Sequence, residues 1–246
     1  MNRNYKTSLA AFVLSTLFIL CATQAVFSAE LTEKQLWGVA LSAIITELNG
    51  DSHLTLKMSH SGDHRKDWLA TLERDWGITS REELLETLVI MENGGHAAEF
   101  DFIKKIIREN NNDLDKIMKN YQLNGVQYNR LLFTLQHWDS CKFASIKSWD
   151  LGRNVSLCRW GYEVGFLSET EAWNKIMYYA RLIQPLYRSW EEYGYTYAIG
   201  RIFWASGAGA GDRTTSTSER TMSVFNKLIK GEAGQWHNLK WNINLK

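Results

Sequence analysis

The sequence predicts an all-α protein, a single domain of about eight to ten short helices around a Trp-rich core. Three observations carry that prediction. Helix-starting patterns recur, as Thr32-x-x-Gln35, Ser80-x-x-Glu83 and Ser168-x-x-Glu171, each pairing a hydroxyl with a side chain that reaches back to it. The apolar residues that follow such starts return with a period of about 3.6, the helical spacing. No run alternates apolar and polar side chains in the manner of a strand.

Each element can be justified in order. Leu36, Trp37, Ala40, Leu41, Ile44, Ile45 and Leu48 form one apolar stripe, stopped by Asn49-Gly50. Asp51 to His64 is polar and irregular and reads as a loop. Trp68, Leu69, Leu72 and Trp76 mark a short helix ending at Gly77. Leu84, Leu85, Leu88 and Met91 make the apolar face of the next, which Gly94-Gly95 ends. His96 to Glu109 carries Phe100, Ile103, Ile106 and Ile107 at helical spacing, before Asn110-Asn111-Asn112 interrupts. Leu114 to Tyr121, Val126 to Trp138 and Trp149 to Val164 follow. The helix begun at Ser168 runs to Gln184, and Pro185 starts or kinks the one reaching Trp204. Gly207 to Thr217 reads as a Gly/Ser/Thr loop and Thr221 to Lys230 as a last helix. The tail from Gly231 shows no period.

Composition bounds the function. The chain has 246 residues, 45% hydrophobic, with 11 Trp and 1 Pro. That is enough apolar content for a buried core and speaks against disorder. A net charge of +1 offers no electrostatic footprint for nucleic acid, so no such partner is expected.

The N-terminus has the layout of a secretory signal. Arg3 and Lys6 precede an uncharged, apolar stretch from Leu9 to Leu20, and Ala22, Thr23 and Ala25 supply small residues at a cleavage site. Residues 1–25 are therefore expected to leave, and residues 26–246 to form an exported, periplasmic or secreted domain. Losing two positive charges takes the net charge from +1 to −1. The alternative is an uncleaved anchor in the inner membrane, since Leu9 to Ala29 is just long enough to span one. After cleavage no stable span is expected. Cys141 and Cys158 would remain, and an oxidising compartment would let them pair; two buried thiols is the other reading.

Known catalytic patterns are sparse. His53, His60, Asp63 and His64 cluster in the first loop, but their spacing matches no recognised metal set, and no metal is expected. Gly207 to Thr215 looks like a phosphate cradle, yet lacks the Lys-Ser/Thr pair and the preceding strand of a P-loop. Neither a Gly-x-Ser-x-Gly elbow nor a His-Glu-x-x-His pair is present, and no cofactor is implied.

One constellation stands out. Trp149-Asp150-Leu151-Gly152-Arg153 is followed by Arg159-Trp160-Gly161-Tyr162, Ser189-Trp190-Glu191 and Gly200-Arg201-Ile202-Phe203-Trp204. Glycine inside a helix costs about 1 kcal/mol against alanine, so Gly152, Gly161 and Gly200 suggest close helix approach or a kink. Asp150 and Arg153 can touch on one helix face. His96, Asp150, Arg153, Trp149, Trp190 and Arg201 are then either a Trp-lined ligand pocket or a core held in register by an ion pair. The ion pair is the favoured reading.

These segments resemble the bacterial family of domains of unknown function 1266 (DUF1266). The likeness rests on Trp76-Gly77-Ile78 with Ser80, Gly95-His96 with Phe100, Ser148 to Arg153, Arg159 to Tyr162, Ser168 to Trp173, Ser189-Trp190-Glu191 and Gly200 to Trp204. It covers residues 68 to 206 most strongly. It implies a helical domain and marks residues, but brings no reaction. Two functions follow as expectations. One is a non-catalytic binding or interaction domain of the cell envelope, with a protein or small-molecule partner. The other is an enzyme, such as a hydrolase, with a cleft around His96, Asp150 and Arg153. The second requires those three side chains to converge on a reachable cleft.

Overall fold

In the computed structural model, helices account for nearly all regular structure, and no strand occurs among the described residues, which are 31–59, 63–141, 144–207 and 212–246. The expected signal peptide, with Cys21, lies outside them, as do His60 and most of the Gly207–Gly211 segment. Leu31–Lys246 forms one compact unit.

The helices in chain order are α1 (Glu33–Ala40), α2 (Ala43–Asn49), α3 (Arg65–Trp76), α4 (Arg81–Asn93), α5 (Gly95–Glu109), α6 (Leu114–Asn120), α7 (Gly125–His137), α8 (Lys147–Glu163), α9 (Glu169–Ile183), α10 (Trp190–Ser206) and α11 (Asp212–Lys230). Short 3-10 turns follow α7 and α9; the second contains Pro185. All three sequence-read capping boxes are present, and Asn124 with Gln127 makes a fourth.

The architecture is built around α8. From Ser148 to Gly161 it is buried on every face, as a helix enclosed by others must be. It packs on α9, α10, α4 and α5, and α10 in turn packs on α11 and α7. Small residues permit this crowding. A Cβ added at Gly200 would lie 2.3 Å from Cβ of Trp149, and one at Gly152 would meet the hydroxyl of Tyr193 at 2.4 Å. The close approach read from the helical glycines is therefore real.

Two apolar clusters result. The larger joins α1 to α4, α8, α9, the first half of α10 and the C-terminal tail; the smaller joins α5 to α7 and the second half of α10. Cys158 lies in the first and Cys141 in the second, and both are free, buried thiols. The disulfide considered from the sequence is absent because the two sulfurs belong to different parts of the core. Burial pushes both thiols up to about 12, which makes them inert rather than reactive.

Two other expectations need correction. The first apolar stripe is two helices, broken at Leu41-Ser42, because distant side chains take the carbonyls that would continue it. Trp236 Nε1 donates to the Ala40 carbonyl at 2.8 Å and the Tyr193 hydroxyl to that of Leu41 at 2.5 Å. The stretch from Asp212 to Thr217, read as loop, is the start of α11. The tail without a period is nonetheless packed, with Trp236, Leu239, Trp241 and Leu245 buried.

Candidate functional site

Five helices build an open cleft of about 900 Å³. From α8 come Trp149, Arg153 and Trp160, whose spacing of four and seven residues puts them on one stripe. From α10 come Arg201 and Trp204. The facing wall is Trp68, Thr71, Arg74, Asp75 and Trp76 of α3, with Ile45, Leu48 and Asn49 of α2. His96, in the first turn of α5, closes one side.

Aromatic rings make the walls. Trp68 stacks on Trp160 with centroids 5.3 Å apart, and Trp149 lies 6.2 Å from Trp204. The Arg153 guanidinium sits between the two walls, 4.0 Å from the Trp149 ring centroid and 5.3 Å from that of Trp76. Cation–π contacts of this kind are favourable when desolvated.

Asp150 lies beneath the cleft, one residue round the helix from its lining. Its carboxylate accepts from the backbone N–H of His96 at 3.1 Å and of Ala97 at 2.7 Å, and from Arg153 Nη2 at 2.6 Å. It thus caps the start of α5, whose own N-cap, Gly94, offers no side chain. Gly95 makes this contact feasible: its φ is +57°, and a Cβ there would fall 2.4 Å from the carboxyl. Burial pushes the Asp150 carboxyl up, but the Arg153 charge and the two backbone N–H donors outweigh it and hold the group below its ordinary value. Burial lowers the Arg153 guanidinium more than Asp150 raises it.

His96 is the hinge between the buried pair and the cleft. Its Nδ1 lies 3.1 Å from Arg153 Nη2 and 3.7 Å from Asp150 Oδ1. Arginine only donates, so Nδ1 accepts and the ring proton sits on Nε2. Among the described residues nothing bonds Nε2, and the side chain is 24% exposed.

The remaining electrostatics are uneven. Arg153 is matched by Asp150, and Arg74 by both oxygens of Asp75 at 2.7 Å. Arg201 has no carboxylate partner among the described residues. Its Nε donates to Thr221 Oγ1 at 3.2 Å; burial lowers its guanidinium, and the charge of Arg220 adds to that. The indole N–H groups of Trp149 and Trp160 are buried with no hydrogen-bond partner among the described residues.

Of the residues singled out from the sequence, His96, Trp149, Arg153 and Arg201 converge on the cleft, and Asp150 supports it from behind. Trp190 does not belong with them. It packs against Trp37, Trp236 and Trp241, with centroids 5.0, 5.5 and 4.8 Å away, at the opposite end of α10 from Arg201, about 16 Å along a helix. Reading missed Trp68 and Thr71 of the facing wall, because an apolar stripe on α3 looks the same whether it faces a core or a cleft. The first-loop histidines serve locally: His53 lies 3.3 Å from Glu47 and His64 3.4 Å from Asp67. Among the described residues no three His, Cys, Asp or Glu side chains are grouped to hold a metal ion. No helix of the described residues is long and apolar enough to cross a membrane.

Comparison with known proteins agrees with the resemblance and extends it. The chain is 27% identical over 180 residues to the uncharacterised protein YbeU of Escherichia coli K12, covering 69% of this chain and 75% of that one. It is 30% identical over 137 residues to the uncharacterised protein YbeR of the same strain, covering 55% of this chain and 57% of that one. No solved structure matches it. The model of the protein-of-unknown-function family DUF1266 matches residues 71–241, a span that takes in most of the cleft and the tail as far as Trp241, and the chain belongs to that family.

Proposed function

We propose that this protein is a non-catalytic binding protein of the bacterial envelope, and that the cleft over Arg153, Arg201 and His96 is its binding site. The observation that carries this reading is the convergence of polar groups and tryptophans on one reachable cavity of about 900 Å³. Ligand sites are concave, largely aromatic or apolar, and hold a few oriented polar groups. The envelope assignment rests on the N-terminal sequence, with Arg3 and Lys6 before an apolar stretch and small residues at Thr23 and Ala25.

A thermal-shift screen of small molecules tests the cleft. A ligand at a hundred times its Kd adds about 2.7 kcal/mol, or about 5–10 °C in Tm for a domain of this size. Hits are expected for the wild-type chain and should weaken in Thr71→Trp, which puts an indole into the cleft. Hits that this substitution leaves unchanged would place binding elsewhere. Fractionation tests export: the protein should lie outside the cytoplasm and begin near Val26, and an intact N-terminus on a cytoplasmic protein would refute it.

One observation favours an enzyme as the second reading. His96 Nδ1 is held inward by Arg153 while Nε2–H meets no partner among the described residues, the posture of a hydrogen-bond or proton donor to a substrate. Turnover of a screened ligand, lost in His96→Asn, would establish it. Against it, Asp150 is already committed to capping α5, and Cys158 is buried in the core.

A further inference from the structure

The cationic and imidazole groups left over in the cleft are of one kind, beside the Thr71 hydroxyl and the Asn49 amide, which can donate or accept. Arg153 uses Nε and Nη2 within the protein, and Nη1 bonds nothing among the described residues. Arg201 uses Nε alone. The ring proton of His96 on Nε2 is likewise unmatched among the described residues. These cationic and imidazole groups all donate hydrogen bonds and none accepts. The one carboxylate lining the cleft, Asp75, is neutralised on both oxygens by Arg74. The charge that remains is that of Arg201, and the rings around it present flat apolar faces.

From this we infer that the cleft takes a small anionic molecule whose flat apolar part lies among the tryptophans and whose carboxylate, sulfonate or phosphate group bonds Arg201. The inference rests on the cleft being the binding site and adds the chemical class of its ligand. A guanidinium with both Nη nitrogens unbonded suits a planar or tetrahedral oxyanion, and in a partly dry site such a charged hydrogen bond is stronger than in water. A neutral ring system of the same size would gain the stacking and leave Arg201 uncompensated.

Two fluorescent probes of similar shape separate these cases. One is 8-anilinonaphthalene-1-sulfonate; the other is uncharged N-phenyl-1-naphthylamine. The purified wild-type protein should bind the sulfonate at least about tenfold more tightly, equivalent to about 1.4 kcal/mol. Arg201→Met should remove that advantage and leave the neutral dye's affinity unchanged, whereas Arg201→Lys should keep part of it. On the wild-type protein alone, naphthoate should displace the sulfonate dye and naphthylmethanol should not, a readout that needs no variant to fold. Equal affinity for both dyes, with both weakened by Trp204→Ala, would overturn the anion preference and keep the cleft. Affinities that neither Trp204→Ala nor Thr71→Trp changes would overturn the cleft itself.

Discussion

Arg153 and Arg159 lie less than two turns apart on α8, and both are buried, yet they do different work. Arg159 is fully buried, with no carboxylate within ion-pair distance among the described residues. Its Nη1 donates to the hydroxyls of Ser42 at 2.8 Å and Thr46 at 3.0 Å. Its Nε and Nη2 reach the carbonyls of Leu56, Ser52, Thr55 and Lys57. All of its nitrogens are consumed in holding the chain from Ser42 to Lys57 against α8. Glu163 secures the next residues by accepting from the backbone N–H of Met58 at 2.9 Å and Ser59 at 3.3 Å. Arg153 instead shares one nitrogen between Asp150 and His96 and keeps another unused at the cleft. The difference teaches how to tell a structural cation from an available one: by counting donors already spent, since burial alone does not separate them.

The largest expected effect breaks the structural side of the comparison. Arg159→Met removes six hydrogen bonds and strands the carbonyls of Ser52, Thr55 and Leu56, each worth about 1–3 kcal/mol when left without a partner. A loss of about 5 kcal/mol is expected, about 10–20 °C in Tm. Arg159→Lys should recover little of it, because one ammonium cannot reach in as many directions. A urea titration checks both. A variant that unfolds like the wild type would mean that the Ser42–Lys57 segment holds itself.

Asp150→Asn comes next, at about 3 kcal/mol, since it leaves Arg153 buried without its counter-charge and weakens the cap on α5. Arg153→Leu alone should also destabilise. The double variant should lose less than the sum, because neither partner is then stranded. The pH dependence has a definite sign. The Asp150 carboxyl is a stronger acid in the folded chain than in the unfolded one, so its ionised form favours folding above about pH 4. That contribution fades as the pH falls through the folded value. Acid unfolding of the wild type should therefore be steeper than that of Asp150→Asn; parallel curves would remove Asp150 from the account.

Gly95→Ala sharpens the same junction with a smaller effect, about 2 kcal/mol. A left-handed φ of +57° costs an alanine about 1 kcal/mol, and its Cβ would push the Asp150 carboxyl off the helix start. Calorimetry on Gly95→Ala and Gly95→Ala/Asp150→Asn should show the second substitution costing less in that background than alone.

Much of this was legible in the sequence, and the failures have physical causes. Capping boxes are local chemistry, so Thr32, Ser80 and Ser168 announced their helices correctly. The pairing of Asp150 with Arg153 followed from a three-residue spacing. The break at Leu41-Ser42 was invisible because Trp236 and Tyr193, which take its carbonyls, lie far along the chain. The start of α11 was hidden by its Thr and Ser residues, poor helix formers that packing against α10 overrides. Arg159 could be seen, but its partners are mostly backbone carbonyls, which carry no sequence signal. Trp190 was misplaced because a motif of Trp and charge does not say at which end of α10 the cleft opens.

The smallest expected effect concerns Arg201, and it is the one that separates a site from a scaffold. Its guanidinium is half-buried with one hydrogen bond, to a Thr221 hydroxyl that also bonds the Thr217 carbonyl. Removing the charge strands no carboxylate and relieves a desolvation cost that burial already imposes on the cation. Arg201→Met should therefore shift stability by less than about 1 kcal/mol in either direction, within the range of ordinary surface changes. Functional groups held in unfavourable settings often behave this way, since they are retained for what they bind and not for what they stabilise. Measured beside Arg159→Met in the same buffer, the pair gives two arginines on packed helices with stability costs differing by several kcal/mol. If Arg201→Met instead melts as low as Arg159→Met, Arg201 is part of the frame, and the cleft has lost its one unmatched charge.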